Sequence, residues 1–114
     1  MKNGLYLAQF AIPSTDGQGW DSQHGVAYIQ DGYIVGGDSS HWWQGDIAVT
    51  DEAFSVNLTI KVHTSRSQSV FGFFEEVQLK VIGVKKGNAW QADGETNVAP
   101  GRIMQLNIRP LRGD

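Results

Sequence analysis

The chain has 114 residues, enough for one domain (1–114) with a single hydrophobic core and too few for two. Its composition is that of an ordinary globular protein, with 40% hydrophobic and 18% charged residues, and 14 glycines against three prolines favour many tight turns. The net charge of −3 gives no attraction to nucleic-acid phosphates, zero cysteines exclude disulfides and thiolate chemistry, and no apolar run reaches the ~20 residues that span a bilayer.

The first elements in chain order are predicted to be strands joined by tight turns. The N-terminal apolar run is interrupted by Gln9 and is not followed by a convincing cleavage site, so we expect a strand and not a secretion signal. Asp31 and Gly32 lie between two apolar runs, 23–30 and 33–36, and supply the two positive-φ residues of a type I′ turn. A Gly-Gly pair then predicts a second sharp bend.

The middle and the end of the chain carry the clearest strand patterns. Residues 54–63 alternate perfectly between apolar and polar side chains, which is typical of an antiparallel strand with one face on the core and one in water. Residues 76–84 and 102–110 repeat the pattern, and Pro110 lies where a strand ends or becomes an edge. The predicted inward-facing residues are Phe54, Val56, Leu58, Ile60, Val62, Val77, Leu79, Val81, Met104, Leu106 and Ile108.

Counting these segments gives eight strands in one antiparallel sheet. They are predicted over residues 4–12, 23–30, 33–36, 41–49, 54–63, 76–84, 88–94 and 102–110. Eight strands in a meander suit an all-β, up-and-down barrel. The interior of such a barrel either fills with side chains or holds one small ligand, and both outcomes are open at this point.

Two longer connections interrupt the rhythm of strands and turns. Residues 13–22 form a polar, glycine-containing loop, and residues 64–74 mix polar and aromatic side chains. In the second, Val70, Phe73 and Phe74 share one face at helical spacing, which suits a single helical turn that closes one end of the barrel.

The residue types that carry catalysis and metal binding do not form a convincing pattern. Asp38, two serines and His41 are the types of a hydrolytic triad, but triads converge from distant positions, whereas neighbours in extended chain point to opposite faces. His24, His41 and His63 lack the spacing that places ligands side by side on one strand. We expect no enzyme activity, no metal and no cofactor.

The Trp42-Trp43 pair is the best indication of a contact surface. Neighbouring residues of a strand point to opposite faces, so at least one of the two indoles is expected outside the core. Exposed aromatic residues on antiparallel barrels most often anchor a subunit or partner interface.

Several short motifs, in order and spacing, resemble the GrlR family of negative regulators of type III secretion genes. The resemblance covers roughly residues 4–63 and rests on Gly4, Tyr6, Gly25, Asp31-Gly32, Gly36-Gly37-Asp38, Gln44-Gly45, a short acidic turn and Val62-His63. It implies a calycin or lipocalin-like barrel, a homodimer, and a role in restraining a helix-turn-helix transcription activator without contact to DNA. The family's run of four acidic residues corresponds here to a turn with only two carboxylates, Asp51 and Glu52.

The leading hypothesis is therefore a noncatalytic, cytoplasmic binding barrel that acts by protein contact, as a homodimer and with a regulatory protein partner. Its candidate contact residues are Asp51, Glu52, Trp42 and Trp43. The alternative is a carrier of a small apolar ligand inside the barrel, lined by Val56, Leu58, Ile60, Leu79, Val81, Met104 and Leu106. Neither nucleic acid nor a membrane is expected as a partner.

Overall fold

Eight β-strands form most of the chain in this computed structural model, which describes residues 1–13, 19–64, 76–98 and 101–113. They are β1 (Gly4–Pro13), β2 (Trp20–Gln30), β3 (Tyr33–Gly37), β4 (His41–Val49), β5 (Ala53–Val62), β6 (Glu76–Lys86), β7 (Ala89–Thr96) and β8 (Met104–Gly113). Each strand pairs antiparallel with its neighbours in sequence, and β8 pairs with β1. The all-β, eight-stranded up-and-down barrel is thus confirmed, an architecture consistent with calycin and lipocalin-like barrels.

The tight turns follow from the residues predicted to form them. Between β2 and β3, Asp31 and Gly32 have φ angles of 51° and 82°, the two positive values of a type I′ turn. Between β6 and β7, Gly87 alone has positive φ, as in a turn whose first central residue is glycine. The hairpin predicted at Asp31 and Gly32 is confirmed.

The last strand differs from its prediction at Pro110. This proline does not end the strand or make it an edge, because β8 continues beyond it to Gly113 and pairs with β1. Tyr6 pairs with Pro110 and Leu5 with Arg112, so Leu111 is an extra residue in a β-bulge. A bulge tolerates proline because the ladder is already interrupted there.

The two long connections fall partly outside the described residues. The loop predicted over 13–22 is too long, since β1 extends through Pro13 and β2 begins at Trp20. Residues 14–18 are not described, and the helical turn predicted at Val70, Phe73 and Phe74 also lies outside the described residues.

The core is the barrel interior, which the inward face of every strand fills. Two edge-to-face aromatic pairs organise it: the ring centroids of Phe10 and Trp43 are 5.9 Å apart, and those of Phe54 and Trp90 are 5.7 Å apart. The largest inward-facing side chain of β4, Trp43, lies against backbone where β2 and β3 carry glycine. A Cβ on Gly25 would be 2.8 Å from Cη2 of the indole, and one on Gly36 would be 2.6 Å from its Nε1. Gly25 and Gly36 therefore leave the space that the Trp43 indole occupies.

Candidate functional site

The side chains proposed to line a ligand cavity do meet inside the barrel. Six of the seven are fully buried and Leu106 is partly buried; the buried ones are Val56, Leu58, Ile60, Leu79, Val81 and Met104. Together with the rest of the core they leave a free volume of about 40 Å³. Ligand pockets usually measure roughly 300–1,000 Å³. The described interior is filled, which gives no support to the carrier hypothesis.

Trp42 and Trp43 point to opposite sides of β4, as the alternation of a strand requires. Trp43 is 5% exposed and belongs to the core, so its inclusion among the contact residues was wrong. Trp42 is partly exposed on the outer face, with Lys61 Nζ 5.7 Å from its ring centroid. The same ammonium lies 3.5 Å from Oε1 of Glu76. Trp42 is the candidate that remains.

The acidic turn between β4 and β5 is exposed and is hydrogen-bonded to β6. Thr50 and Ala53 close the turn through a 2.8 Å backbone hydrogen bond from Thr50 N to Ala53 O, which leaves Asp51 and Glu52 at its tip. The amide of Lys85 on β6 donates to the carbonyl of Glu52 at 2.9 Å.

The amino group of Met1 also lies near this turn. Burial and then Lys85 lower the pKa of this amine, whereas Asp51 raises it. The positive amine of Met1 therefore lies within Coulomb range of Asp51, which weakens the field that the turn presents to a basic partner.

The structure does not bring Trp42 and the acidic turn together. Trp42 lies at the start of β4 and Asp51 just beyond its end. At about 3.3 Å per residue, the nine steps between them span roughly 30 Å. The predicted contact residues therefore belong to opposite ends of the barrel, and no single small interface includes both.

A surface that the sequence analysis missed lies on the outside of β1, β2 and β3. Outward-facing apolar side chains occupy adjacent positions on these three strands; they are Leu5, Leu7, Val26, Tyr28, Tyr33 and Val35, here called the apolar face. The pairing places Leu5 opposite Tyr28 and Tyr28 opposite Val35, so the side chains form one continuous row across the strands. Val26, Tyr28, Tyr33 and Val35 are 40–45% exposed.

The signal for this face was present in the sequence. The runs Leu5–Ala8 and Val26–Ile29 are apolar at every position, whereas a strand with one face in water should alternate. Continuous apolar runs in an antiparallel barrel mean that the outer face is apolar too. Contiguous exposed apolar surface of this kind marks sites of interaction.

Asp38, which was compared above with a member of a hydrolytic triad, has a structural role in the turn between β3 and β4. The chain turns between β3 and β4, so Asp38 and His41 meet, with Oδ1 of Asp38 3.3 Å from Nδ1 of His41. The same oxygen accepts hydrogen bonds from the backbone N–H of Ser40 at 2.8 Å and of His41 at 2.7 Å. His63 Nε2 lies 3.0 Å from the backbone carbonyl oxygen of Asp38 and so fixes the turn against the end of β5. Across the described part of the chain, no three His, Asp or Glu side chains are grouped as metal ligands would be.

Replacing Asp38 with alanine should lower the free energy of unfolding by about 2–3 kcal/mol, because two backbone donors and one imidazole lose a shared, buried acceptor. Urea denaturation followed by tryptophan fluorescence measures this loss. Asp38→Asn retains an oxygen at Oδ1 and should lose less. Equal losses in the two variants, or a loss below ~0.5 kcal/mol for alanine, would show that the turn does not depend on this acceptor.

Comparisons with known proteins neither support nor contradict the resemblance to the GrlR family. No protein-family model and no curated protein sequence matches the chain. Within the described residues, no helix has the length and apolar character needed to cross a membrane.

Proposed function

We propose that this protein is a noncatalytic, cytoplasmic binding barrel that acts by protein-protein contact, with its apolar face as the contact between two copies in a homodimer. The observation that carries the proposal is the exposure of four large apolar side chains on two neighbouring strands of a barrel whose described interior is already filled. The chain has zero cysteines, which supports a location in the reducing cytoplasm, where disulfides are rare.

A second copy of the chain suits the apolar face better than a charged partner does. None of its six side chains is charged, so two copies can meet there without repulsion although each chain carries a net charge of −3. A two-fold dimer needs one self-complementary patch, and aromatic residues at its centre supply the most binding energy. The hydroxyl of Tyr33 donates to Oε1 of Gln44 at 2.5 Å, which holds this ring in place at the margin.

We further propose that Trp42 contacts a regulatory protein partner at the border of the apolar face. Gly37 lies between Trp42 and Val26 in the pairing of β2, β3 and β4, so the indole is close to the face but separated from it by a position without a side chain. Tryptophan is enriched among residues that dominate interfaces. The resemblance to the GrlR family extends this proposal to a transcription activator that the barrel restrains.

Affinity capture from the source cells' extract tests the partner contact. Trp42→Ala should reduce the yield of a captured partner at least about tenfold, the effect of losing ~1.4 kcal/mol at a central contact. Undiminished capture by this variant would place the contact elsewhere.

For the acidic turn, we expect the Asp51→Ala/Glu52→Ala double variant to remain within about 0.5 kcal/mol of the parent in unfolding free energy, as exposed substitutions do. Because the positive Met1 amine lies within Coulomb range of Asp51, partner capture by the double variant should fall only a few-fold. A complete loss of capture in this variant, with the Trp42→Ala variant unaffected, would restore the acidic turn as the main contact.

A further inference from the structure

A second outer surface, which begins beyond the apolar face along β1 and β2, forms an open groove of about 810 Å³. It crosses β1, β2, β6, β7 and β8, and small side chains, Ala11 and Ser22, occupy neighbouring positions within it. Five amide side chains line it. Gln23 pairs with the buried Phe10, and the other four, Gln9, Gln91, Gln105 and Asn107, lie on the outer face; the surface is here called the amide groove. It is a different surface from the apolar face, which is the proposed dimer contact.

The strand register places these amides side by side. Asn107 on β8 lies between Gln9 on β1 and Gln91 on β7, and Gln105 is two residues along β8 on the same face. Since neighbouring strands are ~4.8 Å apart, the row of three amides spans about 10 Å. None of the four side chains hydrogen-bonds to another described residue, so their carbonyl oxygens and NH₂ groups are available to a ligand.

The chemistry of the groove selects for a neutral ligand rich in hydroxyl groups. No lysine or arginine lines it, and its titratable side chains are one aspartate, Asp93, and one histidine, His24, so it offers little to phosphates or nucleic acids. Elsewhere on the outer face, opposed strands carry charged pairs such as Lys61 with Glu76. An amide supplies a donor and an acceptor together, which matches the paired hydroxyls of a sugar ring.

The border of the groove adds apolar contacts. Ile82 is 59% exposed and Val84 is 45% exposed, and both lie on β6 at the end of the amide rows. They can pack against the C–H face of a pyranose ring. A peptide that adds as a strand is disfavoured, because pairing of β1 with β8 closes the sheet and leaves no free edge there.

We propose that the amide groove is a binding site for a neutral oligosaccharide. The sugar lies across β1, β8 and β7, where Gln9, Asn107 and Gln91 hydrogen-bond to its hydroxyl groups and Ile82 and Val84 contact its apolar face.

The test uses the full chain and three defined probes: maltohexaose, cellohexaose and hexa-N-acetylchitohexaose. Saturation-transfer NMR detects binding and isothermal titration calorimetry measures the Kd. At least one probe should bind, and Gln91→Ala/Asn107→Ala should raise its Kd about tenfold or more, since two hydrogen bonds are lost. Gln30→Ala is the matched control, because this exposed glutamine on β2 lies outside the groove; its Kd should be unchanged.

Circular dichroism and sedimentation of the double variant are the checks on its fold and association state; with both unchanged from the parent, a change in Kd reports the groove. Failure of all three probes to bind at millimolar concentration would overturn the proposal. Binding that the double variant leaves unchanged would overturn it as well.

Discussion

Gly36→Ala should cost at least about 3 kcal/mol of the free energy of unfolding, or prevent the chain from folding. The added Cβ would lie 2.2 Å from the carbonyl oxygen of Val26, 2.6 Å from Nε1 of Trp43 and 2.8 Å from Cα of Ala27. Two of these atoms belong to the backbone of β2, so relief requires β2 and β3 to separate. Urea denaturation monitored by circular dichroism measures the loss.

Gly87→Ala is the matched control for this substitution. Gly87 has a φ of 66° and nothing within 4 Å of its added Cβ, so alanine there carries only the cost of a positive φ, about 1–2 kcal/mol. If Gly36→Ala were no more destabilising than Gly87→Ala, the close approach of β2, β3 and Trp43 would be contradicted.

Val35→Glu should convert the proposed dimer to a monomer. Val35 lies in the row of the apolar face beside Tyr28, and a two-fold contact buries the new carboxylate once in each copy. At ~2 kcal/mol or more for each unpaired buried charge, the dimer loses about 4 kcal/mol, roughly a thousand-fold in Kd. Sedimentation velocity over a concentration series measures the shift in Kd.

Ser55→Glu provides the control for added charge. Ser55 is exposed on the outside of β5 and lies outside the apolar face, so its replacement should leave the Kd of the dimer unchanged. A parent chain that is monomeric at all concentrations, or a Val35→Glu variant that still dimerises, would contradict the assignment of this face.

The fold was predictable because local chemistry and the global pattern agree along most of the chain. Asp31 and Gly32 can hardly form anything but a tight hairpin turn, and the alternation over β5 fixes which side chains face inward. Strand ends were less predictable. The bulge at Leu111 depends on the pairing partner in β1, more than one hundred residues earlier in the sequence, and no local pattern reports it.

The candidate site was only partly predictable, because contacts between distant strands decide it. Alternation showed that Trp42 and Trp43 face opposite ways but not which one faces inward. The space that Gly25 and Gly36 leave inside the barrel accommodates the indole of Trp43. The distance between Trp42 and Asp51 follows from both lying on one continuous strand and its turn, which the predicted strand boundaries already implied.

Predicting the amide groove requires the strand register as well as the alternation of apolar and polar residues. Gln9, Gln91 and Asn107 are far apart in sequence, and they become neighbours only because β8 lies between β1 and β7. The outward positions of strands are generally polar, so their composition alone would not have distinguished this surface from any other.

The most direct test of the apolar face as a dimer contact is cross-linking through single cysteines, which the parent chain allows because it has zero cysteines. With a short bis-maleimide, the Val35→Cys variant should give a covalent dimer in high yield, and the Ser55→Cys variant should give little at the same concentration. Equal yields from the two variants, or no dimer from Val35→Cys, would contradict the account.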